Sequence, residues 1–138
     1  MLTVITTVLA VTTAAPCSGT TTLQVNACFE ARLKDSEVIL NRYFQAALRR
    51  ARKESDAATA AKQLINAERS WLAYRDAECG SVFDYWRGGT IRATMELDCR
   101  IRLTRLRTYT IWRDWLTYAD STPPLLPRPD VEAVMSEG

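Results

Sequence analysis

The chain has 138 residues, 47% hydrophobic and 25% charged, a balance that is ordinary for one globular domain. Its formal net charge of +2 is too small for a dedicated nucleic-acid binder, and the absence of histidine excludes Ser-His-Asp and Cys-His catalysis. An enzyme would be restricted to carboxylate chemistry, and no pair of acidic residues has the spacing of a catalytic dyad. We therefore expect a binding protein that uses no cofactor.

The first segment, residues 1–15, is an apolar, threonine-rich run that ends in small residues. This pattern is typical of a secretory signal with cleavage near Ala14 or Ala15, and the run is too short to span a membrane. A lipid anchor on Cys17 is disfavoured because Pro16 occupies a position that needs a small residue. We expect an exported protein, periplasmic or extracellular, without a transmembrane helix.

Four cysteines follow the signal segment: Cys17, Cys28, Cys79 and Cys99. An even number of cysteines in a short exported chain predicts two disulfides. A zinc site is disfavoured because the chain has neither a CxxC pair nor a histidine. We therefore expect no bound metal.

The first predicted helix runs from about Thr22 to Lys53, where apolar residues recur every four or seven positions. Thr21 and Gln24 have the spacing of a capping box at its start. This segment is therefore expected to begin sharply at Thr22.

Two further helices follow the first. Ser55 and Asp56 can cap the second, which reaches about Phe83, and Thr90 can cap the third, which ends near Tyr118. Short connections make neighbouring helices antiparallel. The predicted fold class is all-α, an antiparallel bundle of three long helices stapled by two disulfides.

The positions of the cysteines along the bundle axis suggest how they pair. Cys28 and Cys99 both lie about two turns from the same end of the bundle, since each residue rises about 1.5 Å. We predict that they form one disulfide and that Cys17, in the segment before the first helix, reaches Cys79. The next best connectivity joins Cys28 to Cys79.

The chain changes character after Tyr118. Four prolines lie between Ser121 and Asp130, and helical periodicity is lost. We predict a helical domain over residues 16–118 and a disordered tail over residues 119–138.

Arg75 lies on the core-facing line of the second helix, one turn from both Trp71 and Cys79. A buried arginine must be paired, because an isolated buried charge is very costly. We predict a structural ion pair with Asp98 on the third helix or Asp35 on the first, which would fix the helix register.

Four arginines lie close together on the third helix, at Arg100, Arg102, Arg105 and Arg107. Such a cluster is most often a solvated face with pairs inside the helix. The functional alternative is a basic strip that binds an anionic partner.

Trp86 stands apart from the other aromatic residues because it precedes Arg87, Gly88, Gly89 and Thr90 in the turn between the second and third helices. A large apolar side chain beside glycines at a loop tip fits an interface anchor better than a core position. The aromatics at helical spacing are instead predicted to pack in the core; they are Trp71, Tyr74, Tyr109, Trp112 and Trp115.

Five short motifs are specific in their combination. They are Gln24-x-Asn26-x-Cys28, Leu40-Asn41-x-Tyr43, Glu68-x-x-Trp71-x-x-Tyr74-Arg75-Asp76-x-x-Cys79, Gly88-Gly89-Thr90 and Cys99-x-x-x-Leu103-Thr104-x-x-Arg107. Together they resemble the LprI-type lysozyme inhibitor family over nearly the whole helical domain. The arginine-rich third helix and the proline-rich extension depart from that pattern.

The resemblance implies a protein partner, with c-type lysozyme as the expected one. A lysozyme cleft contains two carboxylates flanking the scissile bond, and an inserted loop can offer them a cation or hydrogen-bond donors. Residues 86–90 are the expected contact loop. The alternative is an envelope adaptor or structural protein that binds an anionic partner through the basic strip, with affinity that falls steeply as salt is added.

Overall fold

The computed structural model describes residues 16–53 and 56–131. These residues form helix α1 (Thr22–Ala51), helix α2 (Ala57–Tyr85) and helix α3 (Arg92–Ile111), which continues into a short π-helical turn over Trp112–Leu116. The predicted all-α class is confirmed. The proposed signal segment, Ser55 and the last seven residues lie outside the described residues.

The start of α1 follows the predicted capping box. The Thr21 hydroxyl accepts the backbone N–H of Gln24 at 3.2 Å, and the Gln24 side-chain oxygen accepts the backbone N–H of Thr21 at 3.2 Å. Two of the donors that a helix start leaves unpaired are thereby satisfied. At the other end of α1, Arg49 and Arg50 lie in the last turn, where the helix dipole stabilises positive charge.

The caps predicted for α2 and α3 differ from those observed. The predicted Thr90 cap is wrong, since α3 begins one residue later than expected with Ile91 at its N-cap and no side-chain cap bond. Asp56 occupies the N-cap position of α2, but its side chain makes no cap bond either. Neither start therefore depends on a polar side chain for its position.

The three helices do not pack equally. Helix α3 packs extensively against both α1 and α2, whereas α1 and α2 pack less against each other. The main apolar core lies toward the end of the bundle where α1 ends and α2 begins; its buried residues are Leu40, Tyr43, Ala47, Leu48, Ala51, Ala61, Leu64, Ile111 and Leu116. Burying each large aliphatic side chain there contributes about 1.5–3 kcal/mol.

The predicted packing of the helical aromatics is confirmed for most of them. Trp71, Trp112 and Trp115 pack against the core cluster, and Tyr109 is half-buried with its ring 5.6 Å from that of Trp112. Tyr74 is the exception, because more than half of its surface is exposed on α2.

Instead of being disordered, residues 119–131 lie against the bundle. Leu126 packs on the core cluster and Val131 is buried. Three hydrogen bonds to the bundle hold this segment, which we call the strap: Leu125 N–H to Leu116 O (2.9 Å), Tyr43 Oη–H to Pro127 O (2.7 Å) and Trp112 Nε1–H to Leu126 O (2.9 Å). The prolines of the strap lack a backbone N–H, but two strap carbonyls still accept hydrogen bonds from the bundle.

Arg50 closes the junction between the π-helical turn and the strap. Its Nη1 donates to the carbonyls of Trp115 (2.8 Å) and Thr117 (2.7 Å), and its guanidinium lies 4.3 Å from the centre of the Tyr118 ring. The last carbonyls of a helix have no partner within the helix, so this arginine satisfies two that would otherwise need water. The helical part of this segment ends with the π-helical turn at Leu116, two residues before the predicted end near Tyr118.

All four cysteines form disulfides, but the predicted pairings are wrong. Cys17 bonds to Cys28, and Cys79 bonds to Cys99, with Cα–Cα distances of 5.7 Å and 5.6 Å. Asn26, which accepts a hydrogen bond from Thr94 of α3, marks the side of α1 that faces α3. Two residues later the helix has turned by about 200°, so Cys28 has the right height but faces the segment before α1.

Candidate partner-binding loop

The predicted contact loop is a tight turn at one end of the bundle. The backbone N–H of Trp86 donates to Val82 O (3.1 Å), and the N–H of Gly89 donates to Trp86 O (2.9 Å). Trp86 is 36% exposed, and every residue from Arg87 to Thr90 is exposed. The structure thus presents the whole predicted loop to solvent.

Arg87 offers its cation at the tip. Its side chain is 73% exposed; its Nε donates to Asp84 O at 3.1 Å, and its Nη2 lies 3.5 Å from Asp84 Oδ1. An ion pair between two exposed side chains is worth less than about 1 kcal/mol. The guanidinium can therefore exchange Asp84 for a carboxylate on a partner at little cost.

Two contacts beneath the loop tie together the helices that flank it. The Cys79–Cys99 disulfide is buried and links the last turns of α2 to the first turns of α3. The Arg92 guanidinium at the start of α3 lies 4.9 Å from the centre of the Phe83 ring on α2, across the turn. A loop that is already ordered loses less conformational entropy when it binds.

Arg75 is buried and paired, but its partners are not those predicted. Its Nη1 donates to Glu37 Oε1 (2.9 Å) on α1 and to Thr104 Oγ1 (2.9 Å) on α3, and only 7% of the residue is exposed. The predicted pairing with Asp98 or Asp35 is wrong. Asp35 precedes Glu37 by two residues, about 200° around α1, and α3 supplies a hydroxyl to Arg75.

The surroundings of Arg75 indicate a structural role. Its guanidinium lies 5.2 Å from the centre of the Trp71 ring. Its Nε is buried without a hydrogen-bond partner, and the Asp76 carboxylate stands 3.9 Å away. This arginine joins all three helices near the middle of the bundle, where a partner protein has no access to it.

The predicted basic strip is divided by ion pairs with α2. Arg100 contacts Asp76 (2.6 Å) and Glu96 (3.0 Å), and Arg107 contacts Glu68 (2.9 Å). Asp76 of α2 therefore pairs with Arg100 of α3.

Arg100 and Arg107 thus differ from Arg102 and Arg105. Burial lowers the pKa of Arg100, but hydrogen bonds from its guanidinium to two carboxylates outweigh burial, and the net pKa is raised. Of the other two arginines, Arg102 is exposed and Arg105 is half-buried. A continuous row of four free cations is not formed.

The sequence also led us to expect neither a metal site nor a transmembrane helix. Within residues 16–53 and 56–131, no cluster of three or more potential ligands could hold a metal ion. No helix in this part of the chain is long and apolar enough to cross a membrane.

Comparison with known families agrees with the motifs and the fold. The family model described as Lysozyme inhibitor LprI matches residues 13–111, which include all three helices and the exposed loop. The chain belongs to the LprI lysozyme inhibitor family. The whole strap, residues 119–131, lies beyond the region that this family model matches. No curated protein and no solved structure matches the chain.

Proposed function

We propose that this LprI-family protein is an exported inhibitor of c-type lysozyme, and that it acts by placing the loop Trp86–Thr90 in the lysozyme cleft. Family membership supports the class of partner. The observation that carries the mechanism is the exposed Arg87 at the tip of a turn pinned by a buried disulfide. Two disulfides also favour an oxidising compartment outside the cytoplasm.

The chemistry of the loop matches that of the cleft. Lysozyme cleaves its substrate with two carboxyl groups that flank the scissile bond. Arg87 presents a planar fork of N–H donors, which binds a carboxylate in two parallel hydrogen bonds, and Trp86 beside it supplies an apolar anchor. The loop would occupy the site where the sugar chain must lie, so substrate and inhibitor would exclude each other.

Long-range attraction contributes little to this proposal. Animal lysozymes are generally basic, and the present chain has a net charge of +2, so the two proteins do not steer each other electrostatically. Affinity must therefore come from contacts made inside the cleft. We expect inhibition to depend only weakly on salt concentration, in contrast to binding through a basic strip, which exposed charges would make steeply salt-dependent.

The direct test is a turbidity assay in which c-type lysozyme lyses bacterial cell walls in the presence of the oxidised protein. We expect inhibition at micromolar concentration, and we expect Trp86→Ala and Arg87→Ala each to raise the half-inhibitory concentration at least about tenfold, as loss of an interface anchor does. Arg69→Ala is the matched control, since Arg69 is exposed on α2 about 25 Å from the loop along the helix.

A second substrate separates two ways of protecting a cell wall. A protein that coats the wall would slow its lysis but would leave cleavage of a soluble chitooligosaccharide unchanged. Occlusion of the cleft predicts inhibition on both substrates. No inhibition on either substrate would contradict the proposal and would favour the envelope-binding alternative, despite the ion pairs that already engage Arg100 and Arg107.

A further inference from the structure

Four large apolar residues are exposed at the loop end of the bundle. Leu23 in the first turn of α1 is 79% exposed and Tyr85 at the end of α2 is 83% exposed. Trp86 and Ile91, which flank the loop, are 36% and 43% exposed. We call these four residues the end face.

The end face draws on all three helices. The hydrogen bond from Thr94 Oγ1 to Asn26 Oδ1, 2.6 Å long, brings the first turns of α1 and α3 together. Leu23 and Ile91 each lie three residues before that contact, on helices that run in the same direction. The Tyr85 and Trp86 rings meet edge to face at 5.6 Å. The loop therefore projects from a rim of apolar side chains.

The two glycines at the loop tip are not required by the fold. Neither has a positive φ, so their backbone is open to any L-residue. A Cβ atom at Gly88 would meet nothing within 4 Å, and one at Gly89 would make only ordinary contacts, the nearest at 3.6 Å to Trp86 O. Glycine in such a position costs backbone entropy without a compensating gain inside the isolated chain.

A partner that approaches the backbone closely would account for both observations. We infer that the end face packs on the rim of the partner's carboxylate-bearing cleft while the bare peptide at Gly88-Gly89 enters it. This inference rests on the proposed function and extends it in two respects. It adds Leu23, Tyr85 and Ile91 to the contact surface, and it gives the glycines a role in binding.

The shape of this end of the bundle fits a cleft better than a flat surface. The loop tip carries one cation, Arg87, and no side chain at the next two positions, whereas the bulky residues stand at its base. Aromatic side chains that lose their exposure at the rim of an interface exclude water from the charge pairs within it. A narrow polar tip inside an apolar rim complements a sugar-binding groove with acids at its floor.

The glycine part is tested with Gly88→Ala, measured by calorimetric titration of c-type lysozyme. We expect the thermal midpoint to stay the same or rise, because alanine restricts the unfolded chain, and the Kd to increase about tenfold or more, because the added methyl group overpacks the contact. Gly80→Ala is the matched control. It has equally open surroundings on α2 and should leave the Kd unchanged while the thermal midpoint rises.

The rim part is tested with Leu23→Ser and Tyr85→Ser in the same titration. Each should raise the Kd several-fold without changing the thermal midpoint, since neither side chain is buried in the free protein. Tyr74→Ser is the control, because Tyr74 is also exposed on α2 but lies three turns from the loop.

The outcomes distinguish this inference from the proposed function. If the parent inhibits lysozyme but Gly88→Ala, Leu23→Ser and Tyr85→Ser bind as tightly as the parent, the end-face inference is wrong and the proposed function stands. If the parent binds without inhibiting and these variants lose affinity, the end face is the contact surface but the loop does not occlude the cleft. If the parent does not bind lysozyme, both are overturned.

Discussion

Two hydrogen-bond acceptors on different helices stabilise the buried Arg75 guanidinium. Moving a cation out of water is costly, and the cost is offset only when oppositely charged and hydrogen-bonding groups surround it. Glu37 supplies the charge, although nearly half of its side chain remains exposed, and the buried hydroxyl of Thr104 supplies the second acceptor. The interaction therefore fixes how α1, α2 and α3 meet more than it adds to stability.

Replacing Thr104 with valine tests this role. The hydroxyls of Thr104 and Thr108 are both buried on α3, and each donates to the carbonyl four residues before it, but only Thr104 also accepts from Arg75. Thr104→Val should therefore lower the free energy of unfolding by about 1–3 kcal/mol, and Thr108→Val by about 1 kcal/mol or less. Urea unfolding measures both. Equal losses would show that the bond to Arg75 contributes nothing.

At the scale of single residues, burial could be predicted from the sequence but partners could not. The spacing of Trp71, Arg75 and Cys79 places all three on one face of a helix, and that face is indeed inward. The identity of the acid depends on the rotation of α1 about its own axis, which decides between Asp35 and Glu37. A helical pattern gives that rotation too coarsely to separate residues two positions apart.

Among the elements of the fold, the strap depends most on a few polar contacts. Tyr43 lies on the buried face of α1, and its hydroxyl group donates a hydrogen bond to Pro127 O. Leu126 and Val131 add apolar contact on either side of that bond. The prolines predicted the loss of helix near residue 118, and the helical segment ends at Leu116, but proline content carries no information about apolar residues that dock without helical structure.

Tyr43→Phe tests whether the bond to Pro127 holds the strap. It should lower the free energy of unfolding at pH 7 by about 1 kcal/mol. Tyr74→Phe, at an exposed position, should change it by less than about 0.5 kcal/mol. Chemical unfolding at neutral pH measures both variants, and equal stability of Tyr43→Phe and the parent would contradict a role for the bond.

The same tyrosine predicts a response to alkaline pH. Burial raises the pKa of Tyr43 from its usual value of 10.0, against a smaller opposing effect of Arg42. The unfolded chain thus loses this proton at a lower pH than the folded chain does. The stabilising contribution is complete below pH 10.0 and is lost as the pH rises toward the folded pKa. Tyr43→Phe should remove this part of the decline, and an unchanged pH profile would contradict the assignment.

Across the whole molecule, apolar packing and covalent links occupy opposite ends. The core cluster lies where α1 ends and α2 begins, whereas both disulfides lie toward the loop end. A short exported domain with a small core commonly adds stability through disulfides. Here they stiffen the end where the contact loop projects.

Removing the two disulfides should therefore weaken inhibition to different extents. Replacing both Cys79 and Cys99 by alanine opens a cross-link that spans 20 residues and contains the loop, with an expected loss of about 3 kcal/mol and weaker inhibition. The Cys17–Cys28 link spans 11 residues and anchors only the segment before α1, so its removal should leave inhibition closer to that of the parent. Equal effects on inhibition would contradict a specific role for the Cys79–Cys99 bond.

Peptide mapping of the non-reduced protein tests the connectivity itself. We expect one bridged peptide pair containing Cys17 and Cys28 and another containing Cys79 and Cys99. A pair that joins Cys28 to Cys99 would contradict the structure. Helix periodicity and short connections could predict the bundle as a whole, whereas the pairing required knowing which side of α1 Cys28 occupies.

Competition with a cleft ligand tests most directly whether the loop Trp86–Thr90 occupies the lysozyme cleft. The measurement is a calorimetric titration of c-type lysozyme with the oxidised protein, at increasing concentrations of a soluble chitooligosaccharide that fills the cleft. Occlusion predicts that the apparent Kd rises linearly with the oligosaccharide concentration, from its value without oligosaccharide. A Kd that stays constant while the oligosaccharide saturates the cleft would contradict it.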